Sequence, residues 1–275
     1  MSGRLNQISL TIGFLARESM KFACRQPHFM AHLYTAAWYH SQQKKLPSIR
    51  AEELFPGIQN CSVELIGSLA QIPGGVWINE LPILSGICQE TKPKLVFEFG
   101  TFAGLTTVNL AANTPANSII YTLDIPHDHP KLQSAPREEK YILKERAGQF
   151  YRESPYRHKV RQLWCDSAEF DESPFAGQVD LVFIDASHSY AYVKNDTEKS
   201  LRMLRKGGLL IWHDYYHGWP DVTRYLHERA KELRIQHIAE TSLAIACADL
   251  RDVAHSNRSR RRAEPVPAGL AQRRD

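Results

Sequence analysis

Short apolar runs alternate with helical stripes of apolar residues between residues 94 and 248. The runs are bounded by turn residues, which is typical of strands that are buried on both faces of a sheet. The pattern predicts strands over residues 95–99, 119–123, 160–164, 179–184, 209–212, 235–239 and 242–248. It predicts helices over residues 105–113, 137–151, 190–204 and 221–233. Strands and helices in alternation indicate an α/β, doubly wound fold with a mostly parallel sheet.

The first part of the chain has a different pattern. Apolar positions at helical spacing over residues 28–42 and 77–89 predict helices. We expect most of them to form a plain packing layer, and a cover of the crevice or a homodimer face stays open. We therefore divide the chain into a helical accessory segment (1–74), an α/β domain (75–250) and a basic tail (251–275). Charged residues interrupt the apolar positions of residues 5–22, so this stretch is not a secretory signal, and we expect a cytoplasmic protein without a membrane span.

The net charge of +4 is concentrated in the tail. Seven arginines and three acids lie in residues 251–275, so residues 1–250 are formally neutral. A neutral domain lacks the clustered lysines and arginines that bind phosphates, and nucleic acid is therefore not an expected partner. The composition of the tail is typical of an exposed chain end, although contact with an acidic partner stays open.

Five cysteines are widely spaced along the chain, and no Cys-x-x-Cys motif is present. This spacing predicts free thiols in a reducing compartment and gives no support to a zinc or redox site.

The stretch Val-Phe-Glu-Phe-Gly-Thr-Phe-Ala-Gly-Leu-Thr-Thr at residues 96–107 is the most informative of the chain. A strand ends, a tight loop follows and a helix begins at once, which is how a parallel strand opens onto a ligand crevice. Gly100 and Gly104 let the backbone approach a ligand closely. Their spacing is not the Gly-x-Gly-x-x-Gly of dinucleotide-binding folds, and Glu98 would repel a pyrophosphate. The loop therefore favours a positively charged nucleoside such as S-adenosylmethionine (SAM).

Acidic residues follow four of the predicted strands, and a fifth strand ends in His213 and Asp214. The four acids are Glu98, Asp124, Asp166 and Asp185. Because parallel strands of a doubly wound sheet end at one edge, we expect these side chains to line one crevice. Clustered carboxylates repel one another unless a positive group lies among them, and a cationic cofactor or a metal ion would supply it.

Two of these strand ends suggest adenosine contacts. Asp124 is placed to accept the hydroxyl groups of a ribose. Asp166 and the Ser167 amide are placed to meet an adenine ring. Capping of a turn explains Asp166 equally well, so both interpretations stay open.

The next two strand ends each pair an acid with a histidine. Asp185 lies three residues before His188, and His213 directly precedes Asp214. Such groups on neighbouring strands are suited to holding a divalent cation such as Mg²⁺ or to removing a proton from a substrate hydroxyl. A structural role, in which the histidine only orients an acid, stays open for both histidines.

Five segments resemble those of class I SAM-dependent methyltransferases, and they occur in the same order. They read EFGTFAG at 98–104, YTLD at 121–124, DSA at 166–168, VFIDASHSY at 182–190 and GGLLIWHDY at 207–215. The chain is most similar to the methyltransferase domain 24 group, which is related to metal-dependent O-methyltransferases, and the resemblance covers about residues 75–248. It implies a Rossmann-like sheet of seven strands in the order 3-2-1-4-5-7-6, with strand 7 antiparallel.

The resemblance also implies a SAM site and a place for a metal. With the strand-end argument, it assigns to SAM the residues Glu98, Gly100, Thr101, Gly104, Asp124, Asp166, Ser167, Ala168 and Asp185. Catechol-type relatives ligate a metal with the acid that matches Asp185 and with an Asp-Asn pair. That pair reads Asp214-Tyr215 here, so one ligand is missing and His213 is the candidate replacement. The catalytic lysine of those relatives corresponds to His188, and we expect His188 and His213 to be the catalytic residues.

We therefore expect a SAM-dependent methyltransferase that acts on a hydroxyl group of a small molecule, with a divalent cation as a second, optional cofactor. A nitrogen acceptor stays open. The alternatives are an NAD-dependent oxidoreductase and a non-catalytic SAM-fold protein tethered through the arginine-rich tail. Methylation of RNA is disfavoured because the α/β domain is neutral.

Overall fold

The computed structural model describes residues 45–67, 75–126, 128–130, 147–215 and 218–247, which contain one eight-stranded sheet with helices on both faces. The strands are β1 (Ser48–Ile49), β2 (Leu95–Phe99), β3 (Ile119–Asp124), β4 (Val160–Trp164), β5 (Val179–Ile184), β6 (Leu204–Trp212), β7 (Gln236–Ile238) and β8 (Ala244–Cys247). The helices are α1 (Ala51–Leu54), α2 (Glu80–Thr91), α3 (Leu105–Ala112), α4 (Gln149–Arg152), α5 (Tyr190–Met203) and α6 (Pro220–Arg229). Short 3₁₀ helices lie at Ile58–Asn60, Pro155–Lys159 and Ser173–Phe175. The predicted α/β class is confirmed.

The strand order is β1-β7-β8-β6-β5-β2-β3-β4. Counted from β2 onward, seven of these strands have the expected order 3-2-1-4-5-7-6, and β8 runs antiparallel to both β6 and β7. The expected number of seven strands was too low, because β1 pairs with β7 in parallel and adds an eighth strand at the edge. Two residues are too short a run to show the alternation by which a strand is read from a sequence.

The chain reverses its winding direction at β2. It proceeds from β2 outward through β3 and β4, and then crosses to β5 on the other side of β2. Phe99 of β2 pairs with Ile184 of β5, so the two strands end side by side. A crevice opens where the strand order reverses, and ligands of open α/β sheets bind there.

Several element boundaries differ from the predicted ones. β6 begins at Leu204, five residues earlier than expected, because Leu204 already pairs with Val179 of β5. α6 begins at Pro220, and the carboxylate of Asp221 accepts the backbone N–H of Tyr190 instead of capping its own helix. Of the helix predicted over residues 137–151, only the last residues are described, within α4. The helix predicted over residues 28–42 and the tail lie outside the described residues.

Two apolar cores flank the sheet. Helices α5 and α6 pack on one face, where Val193 and Leu201 of the predicted stripe are buried together with Leu226. Helices α2 and α3 pack on the other face through residues such as Leu84 and Val108. Helices on both faces leave the ends of the strands as the place for a site. Among the described helices, none is long and apolar enough to cross a bilayer.

The contact between α5 and β6 gives a test of this packing. The indole N–H of buried Trp212 donates to Thr197 Oγ1 at 2.8 Å. We expect Thr197→Val to lower the free energy of unfolding by about 1–3 kcal/mol, because the isosteric change leaves a buried donor without an acceptor. Chemical denaturation would measure it, and a valine variant as stable as the wild type would contradict the assignment.

Candidate functional site

The loop between β2 and α3 lies directly against the end of β5. Gly100 has φ +92°, and a Cβ on it would lie 1.9 Å from the backbone oxygen of Asp185. No side chain fits in this gap, so glycine is required for the two strand ends to meet. The predicted cofactor loop and the predicted acid–histidine sites are therefore neighbours in space.

Glu98 is buried inside this loop region. Its Oε2 accepts hydrogen bonds from Thr107 at 2.5 Å and from Thr122 at 2.6 Å, and its side chain has no exposed surface. Burial raises the pKa of the Glu98 carboxyl to about 8, because the two hydroxyl groups offset only part of the desolvation. Without a ligand this shift favours the neutral carboxyl near pH 7, and the expected contact of Glu98 with a cationic ligand stays a prediction.

This shift predicts a pH-dependent effect of Glu98→Gln. A carboxyl whose pKa is raised by folding stabilises the fold below its unfolded pKa of 4.5 and loses that contribution as pH rises towards 8. We expect the stability of the glutamine variant, relative to the wild type, to increase between pH 5 and pH 8, by about 3–4 kcal/mol. Denaturant unfolding at several pH values would measure the difference, and a constant difference would contradict the buried-acid interpretation.

Asp124, the predicted ribose acceptor, binds the glycine loop itself. Its Oδ2 accepts the backbone N–H of Thr101 at 3.1 Å and of Phe102 at 2.8 Å, and its Oδ1 accepts the N–H of Ile125 at 2.8 Å. Thr101 Oγ1 lies 2.7 Å from Thr122 Oγ1 and accepts a hydrogen bond from Gln162. Asp124 therefore fixes the shape of the loop, and its contact with a ribose stays a prediction.

The segment after β4 is held by α5. Asp166 accepts the backbone N–H of Ala168 at 2.9 Å and the hydroxyl of Tyr192 at 2.9 Å. The buried ammonium of Lys199 donates to the carbonyl oxygens of Ser167 and Phe170. The Asp166 carboxylate thus caps the turn that follows β4, which agrees with the capping interpretation. The adenine contact of Asp166, Ser167 and Ala168 stays a prediction.

His213 lies at the centre of three carboxylates. Its Nε2 is 3.0 Å from Glu80 Oε2, and its Nδ1 is 3.1 Å from Asp185 Oδ1 and 3.4 Å from Asp214 Oδ2. Burial alone would lower the pKa of His213, but the charges of Asp185 and Asp214 raise it well above its ordinary value. The ring is an imidazolium that directs both N–H groups at carboxylates. The positive group that clustered acids require is therefore part of the protein.

This arrangement leaves His213 without a nitrogen lone pair. A doubly protonated ring can neither accept a proton nor ligate a metal. The expected role of His213 as a base or a metal ligand would require it to lose a proton that its surroundings retain. In the structure His213 contacts the three acids, and its expected roles as a base and as a metal ligand stay predictions.

Glu80 was not anticipated from the sequence, and it joins the first part of the described chain to the site. Its Oε1 accepts the backbone N–H and the hydroxyl of Ser242 at 2.5 and 2.7 Å, and its Oε2 accepts the N–H of Trp77 at 3.0 Å. Burial would raise the pKa of Glu80, but the hydrogen bond and charge of His213 lower it. In the sequence, Glu80 is only an acid beside the apolar stripe of residues 77–89. Acids on helices are usually exposed, so nothing there indicated that Glu80 is buried in the site.

His188 and Asp214 form a second pair beside the first. His188 Nε2 lies 2.7 Å from Asp214 Oδ2, and the His188 ring stacks on Trp219 with centroids 3.8 Å apart and planes 8° from parallel. Burial would raise the pKa of Asp214, but His213 and the hydrogen bonds from both histidines hold it well below its ordinary value. A hydrogen bond and a stacked ring thus fix the plane of His188, while its side chain keeps 14% of its surface exposed.

Three side chains of this edge have the arrangement of a metal site. Asp185, His188 and Asp214 each offer one donor atom, and these atoms all lie within 4.8 Å of one another. The expected set was Asp185, Asp214 and His213. The donor atoms that converge include His188 as the histidine, and the metal role of His213 stays a prediction. Tyr215, at the position of the missing asparagine ligand, is buried, and its hydroxyl accepts the N–H of Leu46 at 2.9 Å.

Residues 97–215 match the model of a family described as a methyltransferase domain. The sheet order, the switch point and the edge of acids define the class of the protein as a Rossmann-like, class I SAM-dependent methyltransferase. Over these residues the chain is similar to the methyltransferase domain 24 group, which the sequence motifs also resemble. No curated protein matches the chain in sequence.

Solved structures similar to this chain include three methyltransferases. TomG, an O-methyltransferase of tomaymycin synthesis from Streptomyces achromogenes in complex with SAM, is 14% identical, with a TM-score of 0.47 over 78% of this chain and 96% of its own. An O-methyltransferase from Bacillus cereus is 18% identical, with a TM-score of 0.44 over 72% of this chain and 90% of its own. A methyltransferase from Geobacter sulfurreducens is 13% identical, with a TM-score of 0.47 over 72% of this chain and 96% of its own.

Proposed function

We propose that the protein transfers the methyl group of SAM to a hydroxyl group of a small molecule. The observation that carries the proposal is the position of the His188–Asp214 pair. It lies beside Asp185, whose backbone packs against Gly100 of the glycine loop. A proton acceptor next to a cofactor loop is the arrangement that methyl transfer requires, since the reaction is a displacement that depends on positioning and on removal of the acceptor proton.

The glycine loop fits SAM in two respects. Gly100 begins the loop at the switch point of the sheet, which is where ligands of open α/β sheets bind. Glu98 Oε1 is buried and has no hydrogen-bond partner among the described residues, so a polar group of a bound ligand can supply the missing hydrogen bond. We assign SAM to Glu98, Gly100, Thr101, Gly104, Asp124, Asp166, Ser167, Ala168 and Asp185. The family match in the same region gives no support to the NAD-dependent alternative.

His188 is the proposed base. Because Asp214 accepts from Nε2, the Nδ1 atom carries the lone pair in the neutral ring and can take a hydroxyl proton. Within the described part of the chain, Nδ1 has no hydrogen-bond partner. Asp214 fixes the tautomer, Trp219 fixes the ring plane, and His213 holds the two acids in place.

The donor set also fits a divalent cation. Two carboxylates and an imidazole suit Mg²⁺ or Mn²⁺, and Asp185, His188 and Asp214 would hold it. Such an ion would lower the pKa of a substrate hydroxyl bound to it. We propose metal assistance as the second form of the same function. Turnover that survives EDTA would leave His188 as the base alone, whereas loss with EDTA and recovery with Mg²⁺ would support the metal.

The acceptor is proposed to be a small molecule because residues 1–250 are formally neutral. They carry no net positive charge that would attract a polyphosphate. Release of S-adenosylhomocysteine (SAH) from SAM, measured over a panel of phenols, sugars and amines, would identify the acceptor class and separate oxygen from nitrogen acceptors. Tight SAM binding without turnover on any member of the panel would favour the non-catalytic alternative.

The assignment of Asp124 predicts a loss of cofactor affinity. We expect Asp124→Asn to weaken SAH binding at least about tenfold, because the amide presents an N–H group where the loop amides and the ribose require an acceptor. Calorimetric titration would measure the affinity. Asp180→Asn is the matched control, since Asp180 accepts the backbone N–H groups of Lys94 and Leu95 at the other end of β2. Equal affinities of the Asp124 variant and the wild type would exclude the ribose role.

The assignment of His188 predicts a loss of turnover without loss of cofactor. We expect His188→Gln to lower kcat about 100-fold or more with an identified acceptor, while SAH affinity changes less than about twofold. His158→Gln is the control, because His158 is an exposed histidine that contacts only the carbonyl of Pro155 among the described residues. A glutamine variant that retains full kcat would remove His188 from the mechanism.

A further inference from the structure

Asn109 of α3 and Asn113, the C-cap residue of that helix, hold a segment that belongs to no strand or helix. Asn109 Oδ1 accepts the backbone N–H of Ile66 at 2.9 Å, and its Nδ2 donates to the carbonyl of Ile66 at 2.9 Å. One turn further along, Asn113 Oδ1 accepts the N–H of Glu64 at 2.9 Å, and its Nδ2 donates to the carbonyl of Glu64 at 2.7 Å. Each side-chain amide therefore binds both polar groups of one residue, at two alternate positions of an extended segment.

Both amides are buried and fully used. Asn109 is 2% exposed and Asn113 is 1% exposed. The second hydrogen of Asn109 Nδ2 donates to the carbonyl of Leu105, and that of Asn113 Nδ2 to the carbonyl of Asn109. A buried polar network with every member bonded fixes one arrangement of its parts. The apolar contacts of Leu65 and Ile66 with the core would hold the segment near α3 but would not fix its register.

The held segment ends at the side chains of Leu105 and Phe150, which lie beside the glycine loop. Gly67, at φ +64°, follows Ile66, and a Cβ on it would lie 2.9 Å from Leu105 Cδ1 and 2.7 Å from Phe150 Cε1. Leu105 is the first residue of α3 and directly follows Gly104, and the Phe150 N–H donates to the carbonyl of Ala103 at 3.1 Å. The register fixed by Asn109 therefore decides which atoms lie beside the loop.

We infer that Asn109 is a positioning residue for the cofactor site, which it serves by holding residues 64–67 against the glycine loop, with Asn113 as the second point of attachment. This inference rests on the proposed SAM site. It extends that site to a segment outside the family match at residues 97–215, and it makes SAM affinity depend on a helix face that contacts no cofactor. Segment 64–67 packs on the side chains of Leu105 and Phe150, which border the glycine loop, and through these two side chains its displacement would weaken cofactor binding.

The test compares three variants of the full chain by calorimetric titration with SAH and by thermal unfolding. Asn109→Ala removes the amide that fixes Ile66, and Gly67→Ala displaces the same segment without changing α3. Ser118→Ala is the control for lost stability, because the buried Ser118 hydroxyl donates to the carbonyl of Pro93 at 2.7 Å near the opposite end of β2. We expect SAH affinity to fall at least about fivefold for the first two variants and to change less than about twofold for the control.

Two results would overturn the inference while leaving the SAM site intact. One is a folded Asn109→Ala variant that binds SAH as tightly as the wild type. The other is an equal loss of affinity in Ser118→Ala, which would trace the effect to stability alone. If Asn109→Ala does not fold, Gly67→Ala takes its place, and wild-type affinity of that variant for SAH would overturn the inference. A wild-type protein that binds no SAH would refute the proposed function and this inference together.

Discussion

The ion cluster around His213 is the interaction on which the site depends. One buried imidazolium contacts Glu80, Asp185 and Asp214, and each carboxylate comes from a different part of the chain or a different strand end. Removal of the ring would leave three acids in a small volume with little water, an arrangement that proteins avoid unless the acids take up protons. The cluster adds little net stability in general, but it permits only one arrangement of the acids.

The arrangement of the acids gives the two histidines different roles. His213 is locked by acids on both ring nitrogens, whereas His188 meets one acid, stacks on Trp219 and keeps its other nitrogen for a ligand. A histidine with both nitrogens bonded to acids serves as a fixed charge, and a histidine with one is suited to proton transfer. The two residues look equivalent in the sequence, since each lies within three positions of an acid at a strand end.

The cofactor side of the crevice follows a different principle, which is close backbone contact. Gly100 abuts Asp185, Asp124 binds the amides of the loop, and Glu98 is buried as a neutral acid under it. The loop is thus held by hydrogen bonds from within the sheet, while Asn109 holds segment 64–67 next to Leu105 and Phe150, which lie beside the loop. A site fixed from both sides is preorganised, and preorganisation reduces the cost of ordering on binding.

The resemblance to a known family supplied the expected sheet order. The sequence by itself determined the alternation of strands and helices, the place of the glycine loop and the edge at which the acids gather. These features follow from local periodicity and from the rule that parallel strands end together, so they need no knowledge of distant contacts. Only the tertiary structure decided the charge on His213, the neutrality of Glu98, the part played by Glu80 and the attachment of segment 64–67 to α3. Each of these is set by burial and by partners far away in the chain, such as Ser242 for Glu80 and Ile66 for Asn109, and protonation responds to those surroundings.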